Sequence, residues 1–240
     1  MKGVNVLLSR LEGPVNLGFI ARAMANTGFS SLSYTGTVPY NHEDALKFAV
    51  HASDILENAY HPETFEELIS TSDVVIGFTP RSPFSTNNLP YEELKDFVSE
   101  TVSTGLKVGL LFGNEASGLN NKELSACAHR VSLPTSADYI SMNLAQAVLV
   151  SLWQIKDIEP DKEAEAEYAD RNTIGTLLQR IKDHLELIEY FNDQNPDHIW
   201  KEIRQMIESK RLTKREAELM LSVFGKSISR YSYLLNKIKK

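Results

Sequence analysis

Over the first 155 residues, short β-branched and aliphatic runs alternate with stretches whose apolar positions recur every three or four residues. The runs are Val4–Leu8, Leu32–Tyr34, Val74–Phe78, Val108–Phe112 and Arg130–Leu133. The intervening stretches, at Asn16–Thr27, Glu43–Val50, Glu63–Ser70, Tyr91–Val102 and Asn120–Ala126, with Asn143–Ile155 after the last run, have helical spacing. This alternation is what a parallel sheet with crossover helices requires, so the chain reads as α/β with flanking helices. Asn120 and Glu123 have the spacing of a capping box, which starts a helix directly after a glycine loop.

The pattern changes after Ile155. Residues 157–170 are acidic, contain Pro160 and carry few large apolar side chains, and they read as a linker between a domain at 1–156 and an all-helical extension at 171–240. In the extension, Leu177, Leu178, Ile181, Leu185, Ile188 and Phe191 form one amphipathic stripe. Pro196 opens a second helix carrying Ile199, Trp200, Ile203 and Ile207. Thr213 and Glu216 cap a third, whose expected buried side is Leu219, Met220, Val223, Phe224, Ile228 and Tyr231. These helices suit a small bundle or a dimerising arm.

Composition narrows the class. Of 240 residues, 42% are hydrophobic and 24% charged, with 12 Gly and 9 Pro, which excludes a disordered or fibrous chain. No apolar run approaches the roughly 20 residues of a membrane span, and a soluble, cytoplasmic protein without a membrane partner is expected. A single cysteine, Cys127, excludes an intrachain disulfide and a cysteine-cluster metal site; it reads as a small buried filler. The histidines at 42, 51, 61, 129, 184 and 198 lack HxxxH or HExxH spacing, so no metal is expected, and His51 reads as a surface residue. Trp153 and Trp200 read as core or interface anchors, and Tyr231 and Tyr233 as packing residues.

The formal charge of −7 argues against a nucleic-acid partner, but it is unevenly spread. Residues 1–155 and 156–200 each carry −7, whereas residues 201–240 carry +7, including Lys210, Arg211, Lys214 and Arg215. The positive end is therefore local.

Three segments concentrate chemistry. In the first, Asn16 sits where a helix begins after a strand, and Gly18, Arg22 and Asn26 follow at intervals of four, on one helix face. They should leave an open polar patch at the carboxyl end of a strand, where α/β proteins place ligands. In the second, Phe112-Gly113-Asn114-Glu115-Ala116-Ser117-Gly118-Leu119, small residues let backbone groups approach a ligand closely. This is neither GxGxxG nor GxxxxGK[ST], which disfavours a dinucleotide-dependent oxidoreductase. In the third, a strand ends at Leu133-Pro134, a polar loop follows, and Ser141 and Asn143 straddle a helix start.

In order and spacing, these segments resemble the three motifs of the SPOUT-class RNA 2′-O-ribose methyltransferases over residues 4–155. The helical tail is similar to that of the subfamily acting on the pyrimidine at anticodon-loop position 32 of tRNA. The resemblance implies a deep trefoil knot in the C-terminal half of the α/β domain, an exception to un-knotted chains. It also implies S-adenosylmethionine as cofactor, held by Phe78, Thr79, Pro80, Gly113, Leu133, Ile140, Ser141 and Met142, and a homodimer sharing its active sites. Relatives often carry Thr-Ser-Ala-Arg after the third strand where this chain has Phe78-Thr79-Pro80-Arg81, so backbone contacts there transfer better than side-chain ones.

The implied catalytic set is Arg22, Asn16, Glu115, Ser141 and Asn143, with Arg22 held by the other four; Arg22, Asn26, Lys210, Arg211, Lys214 and Arg215 would contact tRNA. An arginine is a poor base, so a cation that binds phosphate and stabilises oxyanion charge is the preferred role for Arg22. The rival expectations are another tRNA or rRNA target, and an RNA-binding homologue without turnover.

Overall fold

The computed structural model describes residues 3–80, 87–158, 168–191, 196–209 and 212–238. The chain divides into two compact units, Met1–Ala164 and Glu165–Lys240.

The first unit contains β1 (Val4–Leu11), α1 (Pro14–Thr27), β2 (Leu32–Gly36), α2 (Glu43–Ala49), α3 (Ser53–Glu57), α4 (Phe65–Ser70), β3 (Val74–Phe78), a 3₁₀ turn at Tyr91–Glu93, α5 (Leu94–Ser103), β4 (Val108–Phe112), α6 (Asn121–Ser125), β5 (His129–Val131) and α7 (Leu144–Ile155). The five strands form one sheet in the order β2-β1-β4-β3-β5, and each neighbouring pair is parallel. Parallel strands side by side need both faces covered, and successive side chains alternate between those faces. Val4, Val6 and Leu8 of β1 join the larger core with α1, α2, α5 and α7. Leu7 points the other way, with Val75 and Leu111, against Leu68 of α4 and Leu124 of α6.

The helix α7 shows how sequence dictates packing. Leu144, Val148, Leu152 and Ile155, at helical spacing, are buried on one stripe, each contributing about 1.5–3 kcal/mol. Trp153, expected as an anchor, lies off that stripe and is 59% exposed, so it is not a core residue. Cys127 is buried, with its side chain reaching the Glu123 carbonyl.

Two local expectations are corrected. Gly18 is buried, and a Cβ there would lie 2.5 Å from the Ala45 carbonyl and 2.8 Å from Cβ of Phe48. It is thus the contact point of α1 with α2, and the open patch reduces to Arg22 and Asn26. The short helix α3 has no counterpart in the sequence reading, because five residues are too few to show a period. The last strand also ends two residues early, at Val131.

The second unit contains α8 (Arg171–Leu187), α9 (Pro196–Glu208) and α10 (Lys214–Ile238). Asp170 caps α8 by accepting from the Thr173 amide, and Thr213 and Glu216 bond reciprocally at the start of α10. Leu177, Leu178, Ile181 and Ile207 form the core, with Trp200, Met220, Leu221 and Phe224 against it. Of the side of α10 expected to be buried, Leu219, Val223 and Tyr231 are exposed instead. Ala217, fully buried, sets the rotation: its small side chain lets α10 approach closely, and Met220, Leu221 and Phe224 follow it at three, four and seven. Among the described residues no helix is long and apolar enough to cross a membrane.

Candidate functional site

In an all-parallel sheet the loops that follow the strands emerge at one edge, where ligands of open α/β proteins bind. Three of these loops enclose a pocket of about 900 Å³, including its open mouth. Its floor is Phe78 at the end of β3 and Phe112 at the end of β4, whose rings stack at 4.5 Å. Thr79 and Pro80 extend the first wall, Gly113 to Leu119 form the second, and Leu133, Thr135 and Ile140 to Met142 form the third, closed by Leu144 and Ala147 of α7. Phe78, Thr79, Pro80, Gly113, Leu133, Ile140, Ser141 and Met142, drawn from three distant segments, thus share one cavity.

The second wall is a loop folded back on itself. The Gly118 amide donates to the Asn114 carbonyl at 2.8 Å, and a Cβ on Gly113 would lie 2.2 Å from the Gly118 carbonyl carbon. Only glycine fits there. Asn114, 7% exposed, organises the turn. Its Oδ1 accepts from the amides of Ala116 and Ser117, and its Nδ2 donates to the Arg10 carbonyl at 3.0 Å.

Next to the pocket, side chains of three segments interlock. Glu115 accepts from the Gly13 amide at 2.8 Å and from Nδ2 of Asn16 at 3.3 Å, at the start of α1. Asn143 donates from Nδ2 to Oδ1 of Asn16 at 3.0 Å, while its own Oδ1 caps α7 through the amides of Ala145 and Gln146. The starts of α1 and α7 and the β4 loop are therefore tied together. Ser141 is exposed at the pocket wall, and Arg22 and Asn26 are exposed further along α1. Arg22 stands apart from the network: it is about 9 Å of helix axis beyond Asn16, and among the described residues it has no hydrogen-bond or ion-pair partner. Among the described residues the expected grip on Arg22 is not formed; Asn16, Glu115 and Asn143 bond to one another instead.

Lys214 and Arg215 lie exposed on the first turn of α10. Lys210 and Arg211 lie outside the described residues, as does most of the expected linker.

One cluster escaped the sequence reading. Glu123 of α6, 2% exposed, accepts Nε and Nη2 of Arg10 at 2.8 and 2.9 Å, and the Ser9 hydroxyl at 2.5 Å. It also completes the Asn120 capping box. Burial alone would raise the carboxyl's pKa, but the hydrogen bonds from Arg10, Ser9 and the Asn120 amide, with the charge of Arg10, outweigh it and hold Glu123 below the usual carboxylate range. The same bond raises the pKa of Arg10. Nothing in local spacing signals a pair more than a hundred residues apart; Asn120 and Glu123 alone were legible.

A parallel α/β sheet with a pocket between the loops at its carboxyl edge has the arrangement of a ligand-binding α/β protein, and its relatives specify which. Residues 3–153 match the SpoU rRNA Methylase family. The chain is 34% identical over 236 residues to the tRNA (cytidine-2′-O-)-methyltransferase TrmJ of Methanocaldococcus jannaschii, covering 92% of this chain and 98% of that protein. Its fold is similar to the crystal structure of TrmJ from Z. mobilis ZM4, with a TM-score of 0.77, 21% identity, and 92% and 97% of the two chains covered. It is also similar to an AdoMet-bound rRNA methyltransferase from Sinorhizobium meliloti, with a TM-score of 0.51, 22% identity, and 64% and 55% covered. The chain belongs to the SpoU methylase family of SPOUT-class methyltransferases, among its TrmJ-type members.

Proposed function

We propose that this protein methylates a ribose 2′-oxygen of tRNA, using S-adenosylmethionine, at the pyrimidine of anticodon-loop position 32. The observation that carries this reading is the convergence of eight residues from three distant loops on one pocket, beside the interlocked Asn16, Glu115 and Asn143. The pocket suits the cofactor chemically: apolar walls at Leu133, Ile140 and Leu144 alternate with backbone at Gly113 and Gly118 and the Ser141 hydroxyl. When bound, that cofactor supplies an electrophilic methyl group on a sulfonium centre. It would supply that methyl to the ribose oxygen with its carbon–sulfur bond breaking, the sulfonium leaving as a neutral thioether and the hydroxyl proton passing to solvent.

The chain's own residues orient and compensate charge. Asn16, Glu115 and Asn143 hold the starts of α1 and α7 in register with the β4 loop, so the wall carrying Ser141 keeps its place. Arg22, exposed and without an ion-pair partner among the described residues, is a cation available to a substrate phosphate and to negative charge on the attacking oxygen. The threading of the segment after β4 into a trefoil knot belongs to this proposal.

A homodimer completes the reading. Val15 and Phe19 on α1, and Leu149 and Trp153 on α7, are exposed apolar side chains on two helices that pack together, a surface suited to a second copy. The segment 171–240, with Lys210, Arg211, Lys214 and Arg215, supplies positive charge toward tRNA.

Transfer of labelled methyl to tRNA, with the product mapped by mass spectrometry of nuclease fragments, tests the reaction and its position. Arg22→Ala should lower kcat by about a hundredfold or more while cofactor affinity, read by calorimetry, changes less than about twofold. Unimpaired transfer by that variant would remove Arg22 from the mechanism.

A further inference from the structure

We infer that Arg10 is a positioning residue for the cofactor-side loop, clamping the Gly113–Leu119 turn from both ends so that the pocket exists before anything binds. The inference rests on the proposed cofactor site and adds to it a residue from outside the three motifs.

The clamp starts in β1. Pairing between β1 and β2 shifts register between Leu8 and Leu11, a bulge at the carboxyl end of the strand. A bulge turns a side chain out of the alternation of its strand. Arg10 sits within it at φ +57°, in the left-handed region that a side-chain-bearing residue adopts rarely. Such backbone persists where the surroundings over-determine it, and here they do. The Arg10 amide donates to the Thr35 hydroxyl at 3.0 Å, and its carbonyl accepts from Nδ2 of Asn114. The guanidinium reaches Glu123 by two bonds, the Gly118 carbonyl at 2.8 Å and the Ser117 hydroxyl at 3.3 Å.

One residue therefore holds Asn114, near the start of the turn, through its backbone and Ser117 and Gly118, near its end, through its side chain. Asn114, Ser117 and Gly118 all line the pocket. The planar fork of arginine explains the residue type: it donates to a carboxylate and a carbonyl at once, which the single ammonium of lysine cannot reproduce in the same geometry. Glu123, anchored by Ser9 and by the start of α6, is the fixed post from which the clamp works.

The distinction from a merely structural ion pair lies in what the loop does. If Arg10 positions the pocket wall, its loss should weaken cofactor binding more than turnover at saturation. Calorimetry with S-adenosylmethionine, together with steady-state kinetics on the full-length protein, should give for Arg10→Ala a Kd and KM raised about tenfold or more, with kcat reduced less than about threefold. Arg10→Lys, which keeps the charge but loses the fork, should fall between the parent and Arg10→Ala. Because Arg10→Ala could also unfold the domain, its melting temperature is read alongside. A variant that melts lower but binds the cofactor with unchanged Kd and KM, or one that loses kcat with KM unchanged, overturns the inference. Should the parent protein bind no S-adenosylmethionine, the proposed function itself fails, an outcome distinct from a parent that binds and a variant that binds equally well.

Discussion

Of the two glycines in the pocket wall, Gly113 has the less room. A methyl group there would overlap the backbone of Gly118 and Leu119, atoms that cannot rotate away as a side-chain tip would. Gly113→Ala should therefore open the turn and abolish cofactor binding, while circular dichroism still reports the parent's helix and strand content; calorimetry checks the first and spectra the second. Gly18 makes the opposite case, where the loss is in packing. Gly18→Ala gains up to about 1 kcal/mol of helix propensity but drives a Cβ onto the Ala45 carbonyl. The net expectation is a destabilisation of about 1–3 kcal/mol, measured by urea unfolding. Read from sequence, both glycines lay within motifs; Gly113 lines the pocket, whereas Gly18 is not part of an open patch. Spacing of four places Gly18 on the same face as Arg22, yet which face meets a neighbour depends on where α2 comes to rest. That information is not local.

At the scale of the element, α6 is short, and its start is held by the reciprocal bonds of Asn120 and Glu123. The same carboxylate carries a titration. Glu123 ionises at lower pH in the folded protein than in the unfolded chain, so the unfolded state binds more protons as acid is added. Its contribution to stability is present above the ordinary carboxylate range and is lost as pH falls through that range toward the depressed folded value. Unfolding free energy measured from pH 7 downward should accordingly decline more steeply for the parent than for Glu123→Gln. The substitution costs stability at neutral pH because Arg10 loses its charge partner. Capping boxes were legible at Asn120 and at Thr213, since they are written within four residues. The rotation of α10 was not, because that helix carries apolar residues on two faces and Ala217, a residue with little hydrophobic signal, chooses between them.

For the whole molecule, the alternation of strands and helices foretold a parallel α/β layer structure, and the strand order, which no local pattern encodes, came from the structure. The second and third motifs share one pocket with the loop after β3, because loops following parallel strands emerge at one edge, whereas the first motif lies beside that pocket and is tied to it through Asn16. The charge gradient makes a prediction at this scale. If the paired tails neutralise about six phosphates, affinity for tRNA should fall about a thousandfold between about 50 and 200 mM salt. Deleting residues 157–240 should remove most of that dependence while leaving cofactor affinity within about threefold; filter binding across a salt series reads both. A deletion variant that binds tRNA as tightly as the parent would leave the extension without a role in recognition. The pocket also has a history built into it. Its third wall is pinned by α7, which follows β5 in the chain and buries Leu144, Val148 and Leu152 in the core. If the pocket holds the methyl donor as proposed, a chain still being made on the ribosome has no complete site for it until that helix has emerged from the exit tunnel.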